Sequence, residues 1–320
     1  MMRALRSLVE ELEQDRSLRE PDRLCRRVEA LERLEAYLLD DVNLDDVKLG
    51  DGQLPALGAQ SIDTGDAGIY HRARALYAQL EAANFELYRA IRHEIQRGAG
   101  PDILLHWVHK SGVNKSGLAH GEGYDYLDEL IVGVMQFEEP GAGVVPLGAE
   151  MVFYQPTPAR HIFDLIGRTA LTERDVLVDL GSGLGHVPLL VSICTGARSI
   201  GIELESAYID CARQSAQGLN LNNVTFLQQD ARTADLSVGT VFYLYTPFIG
   251  TILRAVLDSL RREASSRQIR ICTFGPCTPT IAEEQWLEAI GALDADRIAV
   301  FCSRGKPDDG VRPTPSLYEL

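Results

Sequence analysis

The apolar residues in the first third of the chain recur with the period of an α-helix. One series lies between Leu24 and Leu38, and a longer one extends from Ile69 to Ile95; charged residues lie between the apolar positions. This spacing places the apolar side chains on one face of a helix. We therefore predict a helical N-terminal region over residues 1–110, with a further short helix near 103–109.

Residues 111–150 break this regularity with clusters of glycine and proline. The first part reads as a glycine-rich loop, and an apolar helix is predicted over 126–135. We predict that this stretch is a linker or lid over an active site, in which His120 or Asp128 acts as a base. The alternative is an ordinary surface loop that leads into a helix capped by Asp125.

From residue 175 onward, short apolar runs alternate with helical patterns. Such alternation indicates right-handed crossovers and a largely parallel sheet that is covered by helices on both faces. We predict an α/β core domain over residues 151–320, with strands at 176–178, 199–202, 224–227, 240–245 and 269–273. Residues 298–302 and 316–320 are predicted to form a closing hairpin.

Charge and composition argue against several kinds of binding partner. The net charge of -15 argues against a general nucleic-acid binder, because such proteins neutralise phosphates with lysine and arginine. The six cysteines include no C-x-x-C pair, so we expect reduced thiols and no metal site. No apolar run approaches the roughly 18 residues that a membrane span requires, and the first residues lack a secretory pattern. We expect a cytoplasmic protein without a membrane partner.

The candidate chemistry begins at a glycine-rich turn, Asp179-Leu180-Gly181-Ser182-Gly183-Leu184-Gly185, which follows the first predicted strand. Ligands of doubly wound sheets bind at the carboxyl ends of the strands. A dinucleotide motif would have its third glycine where His186 stands, whereas an acid followed by G-x-G-x-G fits methyltransferases that bind S-adenosylmethionine. We predict that Gly181, Ser182, Gly183 and Gly185 approach this ligand and that Asp179 accepts from its ammonium group.

Two more acids follow successive predicted strands. Glu203 ends the second strand, about 20 residues after the turn, where a carboxylate accepts from ribose hydroxyls. Asp230 ends the third strand, where it is placed to accept from an adenine amino group. Either residue alone reads equally well as a solvated acid at a strand end. Three acids at three successive strand ends favour a nucleoside site.

Residues from about 150 to 303 resemble the class I S-adenosylmethionine-dependent methyltransferases. The segment Val178–Gly185 and the Tyr-led segment Tyr154-Gln155-Pro156-Thr157-Pro158 are similar to those of the non-SET histone-lysine methyltransferases. The resemblance implies a Rossmann-like, doubly wound, mostly parallel sheet of seven strands beside the helical N-terminal region. It also implies S-adenosylmethionine as cofactor, S-adenosylhomocysteine as product, and Tyr154 as a cofactor-binding residue.

Where the histone-type enzymes carry an Asn-rich turn after the fourth strand, this chain has Tyr245-Thr246-Pro247-Phe248. In the superfamily this turn lies beside the transferring methyl group, so Tyr245, Thr246 and Phe248 are predicted to act at the reaction centre. The alternative is that they only pack the end of the strand. Thr157 is predicted to hold the methionine carboxylate with Arg160, although a cap or surface role fits the sequence equally well.

Together these patterns predict a methyltransferase that acts on a nitrogen or oxygen acceptor, either a small molecule or a protein side chain. Two alternatives remain open at this point. One is a non-catalytic S-adenosylmethionine-binding module that contacts a partner protein, and the other is aminopropyl transfer from decarboxylated S-adenosylmethionine. The long amphipathic helices allow a homodimer.

Overall fold

The computed structural model describes residues 1–45, 64–110, 123–137, 148, 150–294 and 296–304. The chain divides into two compact units, Met1–Ala90 and Ile91–Leu320. The predicted division into segments 1–110, 111–150 and 151–320 stays a prediction.

The first unit is helical, as its apolar spacing predicts. It contains α1 (Met2–Gln14), a short 3-10 helix (Arg16–Arg19), α2 (Leu24–Asp45) and most of α3 (Thr64–Gln96). These helices bury one apolar cluster, whose members include Leu5, Leu8, Leu12, Leu34, Leu76 and Leu80. Burial of this shared stripe, rather than helix propensity alone, holds the helices together.

Arg27 is a fully buried charged residue in this helical unit. Its Nε donates to Asn84 Oδ1 at 2.5 Å, and its Nη atoms donate to the backbone carbonyls of Leu18, Glu20 and Pro21. Because these acceptors lie on α3, on the 3-10 helix and on the connection before α2, the guanidinium links three parts of the unit. Burial lowers the pKa of Arg27.

The second unit contains the remaining helices and a sheet. Its helices are α4 (Gly100–Lys110), α5 (Tyr126–Met135), α6 (Ala159–Thr169), α7 (His186–Thr195), α8 (Ser206–Gly218), α9 (Gly250–Ala264) and α10 (Cys277–Ala282). Its strands are β1 (Val176–Leu180), β2 (Arg198–Glu203), β3 (Val224–Gln228), β4 (Val241–Leu244), β5 (Arg270–Thr273), β6 (Leu287–Ala289) and β7 (Ala299–Ser303).

The sheet has the order β3-β2-β1-β4-β5-β7-β6. Strands β1 to β5 are parallel, and β7 is antiparallel to both β5 and β6. The predicted Rossmann-like, mostly parallel, seven-stranded sheet is therefore confirmed. The chain reverses its direction of strand addition between β1 and β4, and ligands of doubly wound folds bind at the carboxyl ends of the strands near such a point.

The predicted closing hairpin needs a correction. Residues 298–302 correspond to β7, but the proposed partner, 316–320, lies outside the described residues. Both edges of β7 are already occupied by β5 and β6. Strand β6 is only three residues long and reads Leu-Glu-Ala, without the β-branched run that would have predicted it.

Buried apolar residues of β1 and β4 hold in place the parts of these strands that carry polar side chains. Val178 and Leu180 of β1, with Phe242 and Leu244 of β4, are buried in a cluster with α9. Since side chains alternate along a strand, Asp179 and Tyr243 project to the opposite face from these residues. The core on one face thus fixes the position of polar groups on the other.

Candidate functional site

The turn between β1 and α7 brings its backbone unusually close to two other segments. Gly181 and Gly183 have φ angles of +88° and +51°, in the left-handed region that favours glycine. A Cβ on Gly183 would lie within 3.0 Å of three ring atoms of Tyr154, and one on Gly181 would lie at or within 3.0 Å of Pro247. Gly185 provides the N-cap of α7. The glycines therefore let the turn contact both the segment before α6 and the turn after β4.

Asp179, the last-but-one residue of β1, is a buried acid at the carboxyl end of the strand. Only 3% of the residue is exposed, and no described residue donates a hydrogen bond to its carboxylate. Burial, with a smaller contribution from the charge of Glu203, raises the pKa of Asp179 well above its ordinary value. A buried carboxylate without a partner is costly, so this position is suited to a ligand that brings a cation or a donor.

Ser182, three residues before the N-cap of α7, adds a second unsatisfied polar atom to the turn. Its Oγ is buried and has no hydrogen-bond partner in the described part of the chain. Both Asp179 and Ser182 line the cavity described below. The turn therefore presents two buried polar groups whose hydrogen-bonding capacity is unused.

Glu203 ends β2 and ties the turn to the next strand. Its Oε2 accepts from the backbone N–H of Gly183 at 2.9 Å, and its Oε1 accepts from the N–H groups of Leu204 and Glu205. These three donors use most of the roughly four acceptor positions of a carboxylate. One hydroxyl of a ribose at Glu203 would donate to the remaining acceptor position on Oε2. The other hydroxyl would share a carboxylate oxygen that already accepts from a backbone N–H.

Asp230 follows β3 and lines the same cavity. Both carboxylate oxygens accept from Arg232, with the shortest distance, 2.6 Å, between Oδ2 and Nη2. The hydrogen bonds from Arg232 hold the pKa of Asp230 below its ordinary value. An adenine amino group at this place would therefore meet an ionised acceptor that Arg232 already orients.

These groups surround a cavity of about 530 Å³ at the carboxyl edge of the sheet, a volume within the range of small-molecule sites, roughly 300–1,000 Å³. The predicted residues that line it are Tyr154, Thr157, Asp179, Gly181, Ser182, Glu203, Asp230, Tyr245, Thr246 and Phe248. The structure thus brings together residues that lie up to 94 positions apart, from Tyr154 to Phe248.

Tyr154 forms one wall of the cavity with two other rings. Its hydroxyl lies 3.3 Å from Nδ1 of His186, and its ring packs on Tyr208 with a centroid distance of 4.9 Å. Burial lowers the pKa of His186 to about 4, so the imidazole is neutral near pH 7. The residue that replaces the third glycine of a dinucleotide motif is therefore a neutral partner of Tyr154.

Sequence reasoning did not select Tyr243 as a site residue. Its hydroxyl lies 2.9 Å from Oγ1 of Thr157, and the ring lines the cavity. Tyr243 pairs in register with Asp179 across β1 and β4. In the sequence it reads as one more apolar strand residue; the signal that could have selected it is its place on the same sheet face as Asp179.

The turn after β4 closes the other side of the cavity. Thr246 has a φ of +41°, and its hydroxyl donates to the carbonyl of Phe274 while accepting from the N–H of Cys277. The Tyr245 ring packs on Phe274 with a centroid distance of 4.8 Å, and buried Phe248 forms an isolated backbone bridge with Met151. The turn is therefore held rigidly, with rings toward the cavity.

The two predicted bases, His120 and Asp128, are not among the described residues that line the cavity. His120 falls outside the described residues. Asp128 lies in the first turn of α5, where its Oδ2 accepts from the N–H of Asp125 and its Oδ1 accepts from the N–H of Ala159, both at 2.7 Å. Burial raises the pKa of Asp128. Neither Asp128 nor Arg160 is among the described residues that line the cavity, and the hydrogen bonds of Asp128 join α5 to α6.

The described ranges contain neither a cluster of metal ligands nor a helix suited to span a membrane. Across the described ranges, no group of three or more His, Cys, Asp or Glu side chains is arranged to hold a metal ion. None of the helices that the structure describes has both the length and the apolar character to cross a membrane.

Comparison with known proteins supports the predicted resemblance. Residues 150–233 match the family described as histone methylation protein DOT1. This segment runs from the Tyr-led stretch through the turn, Glu203 and Asp230, so the match confirms the resemblance stated from those motifs. No curated protein matches the chain.

Solved methyltransferase structures are similar to about half of the chain. An RNA methyltransferase from Salinibacter ruber, in complex with S-adenosyl-L-homocysteine, is 25% identical, with 48% of this chain and 98% of that chain covered and a TM-score of 0.39. A precorrin-6y C5,15-methyltransferase from Geobacter metallireducens is 16% identical, with coverages of 49% and 93% and a TM-score of 0.38. An rRNA methylase from Streptococcus thermophilus is 12% identical, with coverages of 48% and 99% and a TM-score of 0.34.

Proposed function

We propose that this chain is an S-adenosylmethionine-dependent methyltransferase that acts on a nitrogen or oxygen acceptor, on a small molecule or a protein side chain. The observation that carries the proposal is Asp179 in the wall of the cavity, a buried carboxylate to which no residue in the described part of the chain donates. An ammonium group would supply the charge and the hydrogen bonds that this carboxylate lacks. The glycines of the turn allow a ligand to approach the backbone beside it.

The other polar residues of the cavity match the remaining parts of the same ligand. Glu203 would accept from the ribose hydroxyls, Asp230 from the adenine amino group, and the Thr157 hydroxyl would donate to the methionine carboxylate. The family match supports these assignments because residues 150–233 contain all of them. The description of that family refers to methylation, which agrees with a methyl donor in this cavity.

S-Adenosylmethionine supplies an activated methyl group on a sulfonium centre. The task of the chain is to align an acceptor with it and to keep water away. Tyr245, Pro247 and Phe248 line the cavity at the turn after β4, where the superfamily resemblance places the reaction. Because Thr246 and Phe274 hold this turn, its rings form a fixed wall for the acceptor.

The family match ends at residue 233, before β4, so it does not include the turn after β4. The kind of acceptor is therefore inferred from the residues of that turn. Apolar and aromatic walls suit an acceptor with an alkyl stem or a ring. A hydroxyl or ammonium acceptor must lose a proton. His120 stays a predicted base, whereas the hydrogen bonds that Asp128 accepts from Asp125 and Ala159 favour a structural role.

Isothermal titration with S-adenosylhomocysteine tests the proposal. We expect one binding site per chain and a loss of affinity of roughly 10- to 100-fold in Asp179→Asn, because a charged hydrogen bond is removed. Asp210→Asn, an exposed acid on α8, is the matched control and should bind like the wild type. Absence of binding to the folded wild-type chain would reject the proposal, whereas tight binding without methyl transfer would favour a non-catalytic binding module.

A further inference from the structure

Tyr243 lines the cavity next to Asp179, the residue on which the proposed function rests. Tyr243 is 1% exposed, and its register partner on β1 is Asp179. The strand neighbours Phe242 and Leu244 face the core cluster on the other side of the sheet. Tyr243 therefore places a phenol, rather than another apolar group, next to Asp179.

This phenol forms a hydrogen bond with one hydroxyl. The distance from Tyr243 Oη to Thr157 Oγ1 is 2.9 Å, and both residues are buried and line the cavity. The geometry allows either hydroxyl to donate, and the greater acidity of the phenol favours donation from Tyr243 to Thr157. Burial raises the pKa of Tyr243, which keeps the phenol protonated and able to donate.

The direction of this bond decides what Thr157 can do. Once Thr157 accepts from Tyr243, its own O–H proton remains available for a third group. Hydrogen bonds in such a chain strengthen one another, because the donor to Thr157 polarises its hydroxyl. The pair thus supplies one donor to a cavity lining that also contains Asp179.

An amino-acid group needs an acceptor and a donor side by side, because it carries an ammonium and a carboxylate on one carbon. Asp179 offers the acceptor, and the Thr157 hydroxyl offers the donor. We propose that Tyr243 is a positioning residue, which orients the Thr157 hydroxyl toward the carboxylate of the amino-acid end of the ligand. This inference rests on the proposed function and extends it to specificity for an intact amino-acid tail.

Two ligands separate this role from a general effect on the fold. S-Adenosylhomocysteine carries the amino-acid tail, whereas 5′-methylthioadenosine shares the adenosine and thioether but lacks the tail. In Tyr243→Phe we expect affinity for S-adenosylhomocysteine to fall roughly 3- to 10-fold and affinity for 5′-methylthioadenosine to stay unchanged. Tyr126→Phe is the control, because it removes a phenol that donates to the Trp107 carbonyl and does not line the cavity.

Variants of Thr157 complete the test without altering a strand. Thr157→Val should show the same selective loss, Thr157→Ser should keep wild-type affinity, and Tyr243→Phe added to Thr157→Val should cause no further loss. Equal losses for both ligands, or additive losses in the double variant, would overturn the positioning role. Failure of the folded wild type to bind S-adenosylhomocysteine would instead reject the proposed function itself.

Discussion

Tyr154 lies across Gly183 so closely that a Cβ on residue 183 would come within 3.0 Å of three atoms of the tyrosine ring. The same glycine has a left-handed φ of +51° and donates its N–H to Glu203. One residue therefore joins the segment before α6, the turn after β1 and the end of β2. The wall of the cavity depends on this contact.

We predict that Gly183→Ala both destabilises the chain and weakens binding of S-adenosylhomocysteine. The left-handed backbone alone costs an alanine about 1–2 kcal/mol, and the overlap with Tyr154 should add about 1–3 kcal/mol. Gly98→Ala separates the two effects, because Gly98 has a φ of +86° with nothing within 4 Å of a Cβ. Urea unfolding measures the loss of unfolding free energy in each variant. Equal losses in Gly183→Ala and Gly98→Ala would contradict a constraint imposed by Tyr154.

Much of this arrangement could be predicted from the sequence, because local rules govern it. Apolar runs between helical patterns predicted strands β1 to β5, and Asp179, Glu203 and Asp230 lie at or just after the carboxyl ends of the first three. The contact between Tyr154 and Gly183 could not be predicted, since it depends on how two distant segments approach. Tyr243 could not be selected from the sequence, because only the register between β4 and β1 shows that it lies on the same sheet face as Asp179.

The buried Asp179 carboxylate should destabilise the chain without ligand at neutral pH. Its pKa is raised in the folded state by burial and by Glu203, so folding favours the protonated form. This contribution to stability is complete below the unfolded-state pKa of about 3.9 and is lost as pH rises through the folded-state pKa. Asp179→Asn should therefore melt higher than the wild type at pH 7 and lose this advantage below pH 4. Equal melting temperatures at pH 7 would contradict an uncompensated charge.

Ligand affinity should depend on pH through the same group. An ammonium ligand binds ionised Asp179, whose pKa burial raises well above its ordinary value. Affinity for S-adenosylhomocysteine should therefore rise with pH as the carboxyl loses its proton. Titration calorimetry in buffers of different ionisation enthalpy would also detect proton release on binding. Asp179→Asn should show a flatter profile, and an unchanged profile would assign the titration to another group.

Asp128 offers a direct choice between a base and a structural acceptor. Asn can replace only one of the two acceptor oxygens that hold the N–H groups of Asp125 and Ala159. From this geometry we predict that Asp128→Asn loses about 1–3 kcal/mol of unfolding free energy and keeps its turnover well below the melting temperature. Loss of turnover with unchanged stability would establish Asp128 as a base.

Arg27 should be the most sensitive charged position of the helical unit. Arg27→Met leaves Asn84 Oδ1 and three backbone carbonyls without their buried donor, at an expected cost of about 3 kcal/mol. Arg26→Met is the neighbouring control, because the Arg26 side chain is 60% exposed. Equal unfolding free energies for the two variants would show that the buried guanidinium contributes no more than a surface one.

The central claim is tested most directly by incubating the chain with methyl-labelled S-adenosylmethionine and a cell extract, then separating macromolecules from small molecules. The account predicts transfer of label by the wild type and a large loss of transfer by Asp179→Asn. Label in protein or in small molecules would identify the class of acceptor. Transfer that is equal in the wild type and Asp179→Asn, or no transfer by a chain that is folded, would contradict the account.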